Sequence, residues 1–174
     1  SEIRHGNNLT FRYNYATRWE ASGFLGLYGG ATNAIATGWK IYGNIFDAGA
    51  GTEQGDVSYA TGANLNKISD SVIYNNTFYG VTVGFIVDWD NTNNTGNLFK
   101  NNITYSTPGT YSTVGMTFDY NASEDTLAAD SHLQTLSGDP FTAAASGDFS
   151  LVSDTTTGTS LSSPYDTDMF GNAY

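Results

Sequence analysis

SDSVIYNNTFYG, Ser69 to Gly80, is built on the pattern apolar, any residue, Asn, Asn, any residue, apolar, and related copies of that pattern recur along the chain. They are FRYNYA (Phe11 to Ala16), IYGNIF (Ile41 to Phe46), IYNNTF itself (Ile73 to Phe78) and FKNNIT (Phe99 to Thr104). Aligned on the second Asn, the copies place Asn14, Asn44, Asn76 and Asn102 at spacings of 30, 32 and 26 residues. A period of this length marks a stacked repeat architecture. Stacking puts Phe11, Ile41, Ile73 and Phe99 in one inward apolar column, and Arg12, Tyr42, Tyr74 and Lys100 in the outward column beside it. The four Asn residues are then a structural ladder at a corner, where Asn tolerates unusual backbone angles and stacked amides bond to one another.

A second series runs in step with the first. GFLGLYGG, DVSYATG, GFIVDWD and GMTFDYN align on Phe24, Val57, Phe85 and Met116, with spacings of 33, 28 and 31 residues, and SEIRHG is the expected first member. Alternation at period two in Phe85, Val87, Trp89 and in Met116, Phe118, Tyr120 predicts half-buried strands. No stretch carries a convincing helical stripe. Strands that recur without crossover helices imply an all-β chain of coils stacked about 4.8 Å apart.

Composition narrows the function. The chain of 174 residues is one domain's worth, and its 6 Lys plus Arg against 17 Asp plus Glu give a net charge of −11, which argues against a nucleic-acid partner. It has no Cys, so neither disulfides nor thiol chemistry is available. No apolar run approaches the roughly 20 residues of a membrane-spanning helix.

The apolar-x-Asn-Asn-x-apolar repeat over residues 9 to 104 resembles that of the right-handed parallel β-helix superfamily, which includes pectate lyases, other polysaccharide-degrading enzymes, phage tailspikes and bacterial surface proteins. Asp139, Pro140, Phe141, Gly147, Asp148, Phe149, Leu151, Asp166, Asp168, Gly171 and Asn172 match the closing segment of many secreted bacterial members. The resemblance implies a right-handed solenoid of about five coils over residues 1–124, a less regular closing segment over 125–174 of the same domain, and an extracellular or cell-surface location. Neither end carries a visible cap, so the exposed strand edges are expected to be covered by further chain or by head-to-tail self-association. SEIRHGNNLTFRYN with GFLGLYGG also loosely resembles alginate-lyase and chondroitinase-B type β-helices. Where their R-H-G motif would fall the chain has Tyr28-Gly29-Gly30, with no Lys in the preceding coil, so no catalytic residue is assigned.

Two constellations are candidates for binding. Arg4, His5, Arg12 and Arg18 contain every Arg of the protein. They make either a pocket that grips uronate carboxylates through bidentate pairs or a solvated face of weak ion pairs. Tyr42 and Tyr74, together with Trp19 and Trp39, are read as outward aromatics that stack on sugars or simply cover the ladder. The second constellation is acidic. If Phe85 and Met116 are equivalent, Asp88 and Asp119 lie on adjacent coils roughly 5 Å apart, with Asp90 opposite Asn121. Such a set is a solvated acidic face, a Ca²⁺ site or an acid/base pair. Ca²⁺ is therefore the one cofactor for which the sequence offers ligands. His132 has no evident partner. The expected function is a non-catalytic segment of an extracellular solenoid, a surface, adhesive or filament-building scaffold in contact with glycans. The alternative is a polysaccharide lyase or glycoside hydrolase acting on an acidic polysaccharide.

Overall fold

The computed structural model describes residues 2–3, 6–17, 23–29, 35–49, 56–62, 67–81, 86–87, 94–107, 115–124, 130–156, 158–168 and 171–173. Among these the chain is all-β, with one short 3₁₀ turn at Ala144–Ser146. Four sheets are parallel, and each strand pairs with its counterpart one repeat away. The first sheet joins Glu2–Ile3, Gly23–Gly29, Asp56–Gly62 and Ile86–Val87. The second joins Gly6–Asn7, Ile35–Thr37 and Lys67–Ser69, extended by a bridge from Ser69 to Thr95. The third runs Thr10–Arg12, Lys40–Tyr42, Val72–Tyr74, Asn97–Lys100 and Met116–Asp119. The fourth runs Tyr15–Thr17, Ile45–Asp47, Thr77–Tyr79, Ile103–Tyr105, Ala122–Ser123 and Gln134–Thr135.

Register in the third sheet aligns Phe11, Ile41, Ile73, Phe99 and Phe118, so the expected inward column is present and one member longer. The core includes Trp39, Ile41, Phe46, Ile68, Ile73, Phe78, Phe99 and Phe118, all buried. Rings stack along the repeat axis, with Phe46 and Phe78 centroids 5.2 Å apart and inclined by only 8°. Each such ring removes a large apolar area from water and gains further from the offset contact.

The amide ladder is continuous. The backbone N–H and side-chain Nδ2 of each Asn donate to the Oδ1 of the next, from Asn14 through Asn44, Asn76 and Asn102 to Asn121. The unusual backbone angle belongs to the residue before each ladder Asn. Tyr13, Gly43, Asn75, Asn101 and Tyr120 have φ of 56°, 63°, 53°, 55° and 57°. This corrects the expectation that the ladder Asn itself relieves the corner: it holds its left-handed neighbour in place. For a Tyr that conformation costs about 1–2 kcal/mol and needs such a restraint.

The second series needs one correction. Phe24 and Val57 fall in register in the first sheet, as Gly23 opposite Asp56 and Leu25 opposite Ser58 require. Met116 does not continue that series, because it pairs with Asn97 in the third sheet. FDYNAS, Phe118 to Ser123, is therefore a fifth copy of the Asn motif, displaced from Asn102 by only 19 residues.

Residues after Gln134 fold back over the outer faces. An antiparallel pair, Phe141–Ala143 with Asp148–Leu151, packs Phe141, Ala144 and Phe149 on Tyr79 and Tyr105 of the fourth sheet, forming a second small core. Residues 158–168 then run along the corner between the third and fourth sheets against the direction of stacking. They bond Asn101 at Thr159, Asn75 at Tyr165 and Tyr13 at Thr167.

Candidate functional site

The return segment changes what the outward column offers. Arg12, Tyr42, Tyr74, Lys100 and Asp119 are equivalent across the third sheet. Tyr42 and Tyr74, expected to face solvent, are buried at 2% and 7% exposure. Tyr165 packs edge-on against both, at ring-centroid distances of 4.9 and 5.2 Å. Burial raises the Tyr74 and Tyr165 phenols above their ordinary range. Trp39, also expected outside, is fully buried in the core. Arg4, His5, Arg18, Trp19, Asp88 and Asp90 lie outside the described residues.

Arg12 is the described member of the basic cluster. Its Nη1 donates to the Tyr42 hydroxyl at 3.0 Å, and the guanidinium lies 5.4 Å from the Tyr13 ring centroid and 6.0 Å from that of Tyr42. Among the described residues no carboxylate pairs with Arg12 or with Lys40. Both border an open pocket of about 670 Å³ that is also lined by Thr10, Asn14 and Pro164. A guanidinium oriented on one edge by a phenol offers its other N–H groups to an incoming anion, and two cations without a carboxylate partner among the described residues concentrate one there.

At the other end of the column stands Asp119. In the third sheet Asp119 lies opposite Lys100, and Asp88, its expected partner, lies outside the described residues. Asp119 Oδ2 accepts from Lys100 Nζ at 3.1 Å, and its Oδ1 accepts from His132 Nδ1 at 2.7 Å. Desolvation pushes this carboxyl up, but the hydrogen bonds from His132 and Lys100 and their charges outweigh it, leaving the pKa below the ordinary carboxylate value. An ammonium bound to the carboxylate competes with a cation at the same oxygens. Among the described residues no group of three or more His, Asp or Glu side chains could hold a metal ion. Asn121, the expected neighbour of Asp90, takes its ladder bonds from Asn102.

His132, read from sequence as partnerless, is held at three points. Its Nδ1 bonds Asp119, its ring stacks on Tyr120 with centroids 4.1 Å apart and a 10° inclination, and its backbone N–H donates to Asp130 Oδ1 at 3.0 Å. In the neutral tautomer whose Nδ1–H donates to the carboxylate, Nε2 is the acceptor of the ring. The imidazole borders a cavity of about 600 Å³ between the Asn corner and the segment after Leu151. Sequence reading missed this group because Asp119 and His132 come together only when Asp130 turns the chain at the end of the ladder. No protein-family model, no curated protein and no solved structure matches this chain.

Proposed function

We propose that the chain is a segment of a right-handed parallel β-helix that serves as an extracellular or cell-surface adhesive scaffold and holds acidic glycans at Arg12 and Lys40. The observation that carries this is the pair of cations without carboxylate partners among the described residues, one of them oriented by Tyr42, on a chain of net charge −11. Parallel pairing in four sheets and the amide ladder support the solenoid, because equivalent residues repeat their contacts at every level. Rigidity of this kind suits a surface that presents a fixed row of groups. The test is binding of alginate, pectate and chondroitin oligosaccharides to the full chain and to Arg12→Ala and Lys40→Ala. Retention by the wild type and loss in both variants supports the proposal. Equal binding by all three proteins overturns it.

A second reading, a lyase or hydrolase acting on an acidic polysaccharide, is favoured by His132, whose carboxylate-oriented imidazole has the form of a general base. Incubation with the same three polysaccharides, with and without Ca²⁺, separates the two. Product release that disappears in His132→Gln favours the enzyme, and intact polymer in every arm favours the scaffold.

A further inference from the structure

We propose that the cavity beside His132 binds a neutral, polyhydroxylated ligand, a short uncharged glycan, with a ligand hydroxyl donating to His132 Nε2. The imidazole side chain is 50% exposed, yet a carboxylate, a ring stack and a backbone bond fix its position, and a proton held on Nδ1 by the carboxylate leaves Nε2 as the acceptor. Ordering an exposed side chain this fully costs rotamer freedom and leaves an acceptor aimed from a fixed point. The volume of about 600 Å³ falls within the range of small-ligand sites, and the wall carries the features of a sugar site. Tyr120 and Leu151 offer apolar surface, and Gln134, Thr155 and Ser160 offer amide and hydroxyl groups. The roof is tied down by Thr156, whose N–H and hydroxyl donate to Gln134 Oε1 at 2.6 and 2.7 Å, and by Thr159 on Asn101.

Charge selects the ligand class. Among the described residues no Lys or Arg lines this cavity, whereas Asp154 does. Lys100, the nearest cation in the column, is already committed to Asp119. An anionic sugar would meet a carboxylate without compensation, which disfavours it, while an uncharged one pays no such penalty. The site is thus separate from the Arg12 pocket in place and in ligand class, and either can fail without the other.

The test follows the imidazole resonances of the full chain by NMR. Cello-, manno-, malto- and xylo-oligosaccharides are the neutral probes, and oligogalacturonate is the anionic control. The chain has two His, and the His132 resonances are identified by their loss in His132→Gln. The expected result is a saturable shift of the His132 resonances with at least one neutral series, and affinity lowered about tenfold or more in His132→Gln and in Asp119→Asn. Asp154→Asn is expected to admit the anionic control. No response from His132 to any of the four neutral series overturns the proposal, as does a stronger response to oligogalacturonate in the wild type. The wild-type titration decides even if a variant fails to fold.

Discussion

Replacing Asn76 by Ala removes the centre of the amide ladder. The Asn76 side chain is 1% exposed, its Oδ1 accepts from Asn44 N and Nδ2 at 3.1 and 2.9 Å, and its Nδ2 donates to Asn102 Oδ1 and Ile41 O at 3.0 Å each. Truncation deletes all four bonds. Asn44 Nδ2 still reaches Phe11 O and Tyr42 O, and Asn102 Oδ1 still accepts from Asn76 N, so these groups lose only part of their bonding. The Asn44 backbone N–H is left buried without an acceptor, which costs about 1–3 kcal/mol, and the weakened remainder adds roughly 1–2 kcal/mol. The expected loss is therefore about 2–5 kcal/mol, a large share of the stability of an ordinary domain. Asn14→Ala is the matched control. Asn14 stands at the start of the ladder, half-exposed, where water can replace its bonds, and about 1 kcal/mol is expected. Guanidinium unfolding followed by circular dichroism measures both variants, with the slope checked for loss of two-state behaviour. A loss below about 1.5 kcal/mol for Asn76→Ala, or equal losses at both positions, would refute the idea that buried amide stacking holds the corner.

Two further outcomes follow from the outer layer. Gly158→Ala places a Cβ 2.8 Å from Asn101 Oδ1 and 2.9 Å from its Cγ, an amide already pinned by Thr159. It should loosen residues 158–168, seen as faster limited proteolysis there and a stability loss of about 1–2 kcal/mol. Asp119 has a pKa lowered in the folded state, so its contribution is complete above the unfolded value near about pH 4 and is lost as pH falls through the lowered folded value. The acid limb of stability should therefore be shallower in Asp119→Asn than in the wild type. Parallel acid limbs in a pH series of urea melts would refute that assignment.

The third and fourth sheets were legible in SDSVIYNNTFYG and its copies because residues of one column repeat both apolar character and Asn at a single offset. The fifth copy, FDYNAS, was hidden by its own alternation. Met116, Phe118 and Tyr120 match the strand pattern of the other series, while the short 19-residue step from Asn102 fell outside the period expected from earlier repeats. Exposure of Tyr42 and Tyr74 was misjudged for a different reason. Period-two alternation identifies which side of a strand faces away from the stack, but it does not report that Tyr165, some 90 residues on from Asn75, lies across that side. His132 was unreadable as a partner of Asp119 because their contact spans a turn whose geometry is set by Asp130, and no local motif encodes it.

The end of the ladder bears on self-association. Asp130 meets four N–H donors at once: Oδ1 accepts from Tyr120 N and His132 N, and Oδ2 accepts from Asn121 N and Nδ2. Only a group with acceptors on both oxygens fits, which explains why an Asp rather than a further Asn closes the series. Asp130→Asn would turn an amide NH₂ toward a pair of donors and should cost about 1–3 kcal/mol, because hydrogen bonds are lost and donors oppose one another. The same geometry opposes the expected head-to-tail addition of copies along this ladder. Growth there would require the donors of Asn121 to reach the Oδ1 of another chain's Asn14, and Asp130 already holds those donors. The full chain should accordingly remain free of linear, end-to-end oligomers in light scattering at micromolar concentration. Asp130→Asn should lower stability without creating them. Filaments formed by the wild type would show that stacking proceeds through other edges and that the carboxylate does not terminate the array.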